Sequence, residues 1–179
     1  MELVEGAGRI EDVDRLIERL GEIGREQGCV VAAFDGRYLT GREHLAQATV
    51  LADRAFERGE NVANARAIEV LLYAAGRRQI DQALEVGVSA GEGPIVVAID
   101  RKSDRRNGGK SGGDDREQEA AAAVERALAP DFERREVLGE YDEELVRDCF
   151  EISERELRAT DAGLAELVGE RVALLDVEK

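Results

Sequence analysis

The apolar helical run Ile68-Glu-Val-Leu-Leu-Tyr-Ala-Ala75 ends in Gly76 and is followed at once by Arg77, Arg78, Gln79 and Ile80. Two adjacent guanidiniums at a helix corner can fork onto phosphate oxygens or stack on a base, Gln79 can read a base edge, and Ile80 can add an apolar wall. The same residues also suit a purely structural role, in which the arginines complement the negative end of the helix and pair with Glu69 or Asp81. Between residues 54 and 80, Arg54, Arg58, Arg66, Arg77 and Arg78 outnumber Glu57, Glu60 and Glu69 in a chain whose formal charge is -15. This cationic island is a candidate binding surface that residue chemistry alone leaves open.

Other chemistry finds less support. Asp104-Arg-Arg-Asn-Gly-Gly-Lys-Ser111 resembles a phosphate-binding loop, but Asp104 stands where its first glycine belongs, and Ser111 runs into Gly-Gly-Asp-Asp instead of a helix whose amides could cradle phosphate. His44 is the sole histidine, which excludes sites built from several imidazoles; beside Leu45 in the first turn of a helix it reads as a packed, hydrogen-bonded side chain. Cys29 and Cys149 lie among apolar neighbours and read as buried reduced thiols, without the cationic surroundings that activate a nucleophile. No catalytic residue, metal site or cofactor is expected.

The elements that must position the island follow from periodicity. Residues 10–27 repeat Ile10, Val13, Leu16, Ile17, Leu20 and Ile23 at helical spacing, after a possible short strand at Leu3-Val4. Cys29 to Phe34 is short, continuously apolar and β-branched at Val30 and Val31, as in a buried strand, with Asp35-Gly36 as its turn. Thr40-Gly-Arg-Glu43 reads as a capping box for a helix running to Gly59. Asn64 can cap the next helix, stopped at Gly76, and a third is expected from Arg77 or Arg78 to Gly87. Pro94 to Ile99 is a second strand. Arg101 to Gln118 has almost nothing apolar to repay its ordering entropy and reads as a disordered surface insertion. Helices follow at about 116–129 and 142–150 with a possible strand at 133–138 between them, then a capping box at Ser153-Glu-Arg-Glu156 and a closing strand at 171–177. Strands interleaved with helices define an α/β fold: a single domain over 1–179 with a small mixed sheet surrounded by helices.

Composition bounds the setting. The 179 residues are 43% hydrophobic, enough for one ordinary core. Forty acidic residues against 25 basic ones make the solvated surface of a halophilic protein and repel polyanions at long range. No apolar stretch approaches the ~20 residues that span a bilayer, and the amino terminus lacks a secretory pattern, so a cytoplasmic location without membrane contact is expected.

Phe34-Asp-Gly-Arg-Tyr-Leu-Thr-Gly-Arg-Glu-His-Leu-Ala-Gln-Ala, then Gly59-Glu-Asn-Val-Ala-Asn64, then Ile-Glu-Val-Leu-Leu-Tyr-Ala-Ala-Gly-Arg-Arg-Gln-Ile80 and a closing Val-Ala-Leu-Leu resemble the kinase-binding small subunit of the KEOPS complex, archaeal type. The resemblance is good over roughly residues 30–99 and looser at the carboxyl end. It implies an accessory subunit without catalysis of its own, in a complex that installs threonylcarbamoyladenosine on tRNA beside the anticodon. Such a subunit binds the kinase-like ATPase subunit, meets the other KEOPS subunits indirectly and recruits tRNA by its single-stranded 3′ CCA tail. Carried onto this chain, the tRNA-binding residues would be Asn61, Asn64, Arg66, Arg77, Arg78, Gln79 and Ile80. The alternative is a regulator of the same ATPase that makes protein contacts only.

Overall fold

The computed structural model describes residues 1–101 and 115–177. Four strands, β1 (Glu2–Ile10), β2 (Val30–Asp35), β3 (Gly91–Asp100) and β4 (Phe132–Arg134), form one sheet in the order β2-β3-β1-β4. Every pairing is antiparallel, from Glu2↔Ile99 in the centre to Val30↔Asp100 and Gly6↔Arg134 at the two edges. The fold is therefore α/β, with an antiparallel sheet in place of the mixed one expected.

Alternation along the strands divides the interior in two, because successive side chains leave a strand on opposite faces. Val4, Val31, Ala33, Ile95, Val97 and Ile99 face helices α1 (Val13–Gln27) and α5 (Asp115–Leu128). Leu3, Ala32, Phe34, Val96 and Ala98 face the larger core made by α2 (Arg42–Arg58), α3 (Arg66–Ala75), α6 (Glu143–Cys149) and α8 (Leu164–Val177). Two shorter helices are α4 (Ile80–Ala83) and α7 (Glu154–Ala159).

Several boundaries differ from expectation for local reasons. β1 is far longer than Leu3-Val4, since hydrogen bonding to strands on both sides overrides the weak propensity of Glu5-Gly-Ala-Gly8, and Ile10 ends this strand instead of opening α1, which Asp12 caps. Thr40 does not cap α2: Gly41 holds that position, and the Thr40 amide donates instead to Nδ1 of His44 at 3.4 Å. Nor does Asn64 cap α3. Ala65 stands there, while the buried Glu69 carboxylate turns back to accept the amides of Val62 and Ala63 at 2.9 and 2.8 Å. The helix expected from Arg77 or Arg78 begins only at Ile80, and a 3-10 turn carries it from Leu84 to Val86.

In the carboxyl-terminal part, β4 covers Phe132–Arg134 and stops well short of residue 138, where the backbone instead uses the Glu5 carboxylate to receive the amides of Val137 and Leu138. The Ser153–Glu156 capping box is formed in both directions. Residues 171–177 are helix, not strand. Leu164, Leu167, Val168, Val172 and Leu175 bury one face of α8 at helical spacing. Most of the insertion expected at 101–118, with its phosphate-loop lookalike, lies outside the described residues. Residues 115–118 belong to α5, where buried Glu117 accepts the Arg101 amide at 3.0 Å.

Candidate functional site

The corner that carries the candidate residues is built by glycine. α3 ends at Gly76 in the left-handed conformation (φ 61°), and the amides of Gly76 and Arg77 close on the carbonyls of Tyr73 and Leu72 at 3.0 Å each. The chain thereby turns out of the core at Arg77. A Cβ at Gly76 would also lie 3.2 Å from the ring of Phe150. Gly76→Ala is accordingly expected to lose about 1–2 kcal/mol by chemical denaturation, the penalty of an L-residue in this conformation; unchanged stability would mean that the corner needs no glycine.

Beyond Gly76 the side chains diverge. Arg77 donates to Glu151 at 2.7 Å and to the Cys149 carbonyl. Arg78 donates to the Leu175 carbonyl near the end of α8 at 3.1 Å. Gln79 is exposed at the start of α4, and Ile80 and Leu84, one helical turn apart, remain 42% and 55% exposed. The corner thus offers two anchored guanidiniums, an amide and an apolar pair on one stretch of surface.

The remaining expected contacts lie at the other end of α3, about 15 Å away for a helix of 10 residues. Asn61 is turned inward enough to donate to the Ala63 carbonyl at 3.0 Å, and Asn64 is exposed. Arg66 is different. Its guanidinium, on a side chain only 11% exposed, is shared between Asp53 of α2, with one bond at 2.8 Å, and Asp100 of β3 at 2.6 Å. It therefore ties three elements together and presents little to a ligand. The seven residues fall into two sets, of which only Arg77 to Ile80 form a continuous surface.

His44 lies beneath the corner. Its Nε2–H donates to the Ala74 carbonyl at 2.8 Å while Nδ1 accepts from Thr40, and Phe150 packs edge-on at 5.7 Å. Burial lowers its pKa to about 4, so the imidazole is neutral and both nitrogens are used by the fold. Cys149 is also buried, with its thiol pushed up to about 11 by desolvation, which leaves it a poor nucleophile. Among the described residues, no three His, Cys, Asp or Glu side chains gather in a way that could hold a metal, and no helix is long and apolar enough to cross a membrane.

The profile of the family kinase binding protein CGI-121 runs from residue 9 to residue 176 and so takes in every element from the end of β1 to α8. The chain belongs to the CGI-121 family. No curated protein matches it. The CGI-121 match includes the Gly76 corner and also two residues that sequence reasoning passed over, Glu151 and Arg171. Arg171 was hidden inside the run misread as a strand, and nothing in Phe150-Glu-Ile-Ser153 signals the unusual backbone that Glu151 adopts.

Proposed function

We propose that this CGI-121 family member is a non-catalytic subunit of a KEOPS assembly, binding the kinase-like ATPase subunit and recruiting tRNA through its 3′ CCA tail for threonylcarbamoyladenosine modification. The observation that carries the tRNA half of this reading is the Gly76 corner. Arg77, Arg78, Gln79 and Ile80 there combine phosphate-binding forks, a base-reading amide and an exposed apolar side chain, the set that an unpaired tail requires. Asn61 and Asn64, at the far end of α3, would extend the contact, whereas Arg66 would act by holding the scaffold. The family supports the kinase half.

One observation favours the purely protein-binding reading. Arg77 and Arg78 already donate to acceptors of the chain itself, and Ile80 and Leu84 make an apolar pair that would suit a protein partner equally well.

The deciding experiment measures binding of the full chain, alone and with the kinase-like subunit, to tRNA with an intact CCA end and to tRNA trimmed of it. Arg77→Ala with Arg78→Ala is expected to weaken binding of the intact tRNA about tenfold or more, since each charge-assisted fork contributes on the order of 1.5–3 kcal/mol. It should leave the residual binding of trimmed tRNA unchanged. Equal binding of both tRNAs, with partner binding intact, would replace tail capture by the adaptor reading.

A further inference from the structure

A groove of about 350 Å³ opens beside the corner, between the end of α3, the turn joining α6 to α7, and α8. Its lining combines Gly76, Arg77, Phe150, Glu151, Arg171 and Leu174. Leu174, 46% exposed, gives an open apolar wall, and Gly76 lets the Phe150 ring pack close against the end of α3 at the floor of the groove. Arg77 and Arg171 flank the space, each anchored on a backbone carbonyl of the same turn, Arg77 on Cys149 and Arg171 on Phe150 at 3.4 Å.

Glu151, at the mouth of this groove, is the one non-glycine among the described residues with a positive φ, 54°. A glycine would take that conformation without strain; a glutamate does so at a cost that only another gain would retain. Its side chain is 73% exposed, and its contact is with Arg77, whose hydrogen bond holds the carboxylate below its usual range. Glu156 stands similarly on Arg171, but it is also tied into the α7 capping box through Ser153. Of the two carboxylates, only Glu151 can leave without undoing a helix cap.

We infer that this groove holds one unpaired nucleotide of an RNA tail, with Arg77 and Arg171 on its phosphate and Leu174 against its base, and that Glu151 is the internal counter-ion it displaces. The inference rests on the tail-capture reading and deepens it by adding Arg171 as a contact and Glu151 as a restraint. The groove is larger than a bare phosphate needs, and its apolar wall would stay wet beside an inorganic ion, so a nucleotide uses the whole site. In the free protein the two carboxylates cancel the two guanidiniums. Withdrawal of Glu151 leaves the groove net positive in an otherwise acidic chain, and charge appears where the ligand sits.

The test uses the full chain with 5′-labelled tRNA, intact or lacking its CCA end. Glu151→Gln is expected to bind intact tRNA about threefold to fivefold more tightly, the scale of an exposed ion pair released from competition, with trimmed tRNA unchanged. Arg171→Gln is expected to weaken intact tRNA about tenfold while Arg171→Lys, which keeps the charge, recovers part of the loss; this rescue separates a phosphate contact from a packing defect. Glu151→Gly should bind like Glu151→Gln and melt no lower than the wild type. If the wild-type chain distinguishes the two tRNAs but Glu151→Gln and Arg171→Gln do not alter that distinction, the groove is not the nucleotide site and tail capture stands without it. If the wild type does not distinguish them, tail capture fails and this inference falls with it.

Discussion

Arg66→Ala is expected to cost about 3 kcal/mol of folding stability, lowering the melting temperature by roughly 6–12 °C for a domain of this size. The guanidinium bonds to Asp53 through Nε and Nη2, and to Asp100 through Nη2 at 2.6 Å and through Nη1 to its carbonyl at 3.3 Å. Removing it leaves two largely covered carboxylates facing one another. Asp100 keeps the Met1 ammonium at 3.5 Å, so the uncompensated charge falls mainly on Asp53. Arg66→Lys, which retains charge but loses the fork, should recover part of the loss. Thermal melts of the three proteins decide the matter. A variant that melts like the wild type yet loses tRNA would return Arg66 to the binding surface.

The second large effect is a pH dependence centred on His44. Its pKa is about 4 in the folded chain against an ordinary value of 6.5, so between these values the unfolded chain binds the extra proton and the folded one does not. The stability associated with the neutral ring is therefore fully present above pH 6.5, falls as the pH drops, and is lost below about pH 4. The geometry agrees: a proton on Nδ1 would point at the Thr40 amide, which is itself a donor. Denaturation of wild type and His44→Gln at pH 7 and pH 4.5 should show the wild type losing about 2 kcal/mol more over this interval, because carboxylates common to both proteins cancel in the difference. Parallel profiles would sink the assignment.

These two residues also mark where sequence reading works and where it stops. His44 read correctly as a packed side chain, because a lone histidine on the inner face of an amphipathic helix has few other fates. Arg66 read as a surface cation, because nothing in one dimension brings Asp53 and Asp100 to it from α2 and β3. The same limit governs the elements. α1, α2, β2 and the apolar half of β3 were legible from period alone, 3.6 in the helices and unbroken apolar runs in the strands. Arg171-Val-Ala-Leu-Leu-Asp-Val177 is a short apolar run that either period can accommodate, and the register extending back to Leu164 decides it. β1 was mostly invisible: its glycines and Glu5 have poor strand propensity, and they are strand because β3 and β4 hydrogen-bond to them from both sides. Of the candidate site, the Gly76 corner was legible through its glycine. The groove beside it was not, since Glu151 and Arg171 reach it through long-range packing.

The strand order also constrains how the chain can acquire its fold. β1 and β2 do not pair with each other; both form their ladders on β3, so Glu2 finds its partner only at Ile99 and Val30 only at Asp100. As the chain leaves the ribosome, none of its sheet can close until Gly91–Asp100 is available, and until then the apolar faces of α1 and α3 have no completed sheet to cover. Such non-local closure places folding toward the slow end for mixed domains and leaves hydrophobic surface exposed during synthesis. Pro94 to Ile99 is thus the segment on which assembly hinges, and mutations that slow its docking should reveal themselves as aggregation before they appear as lost equilibrium stability.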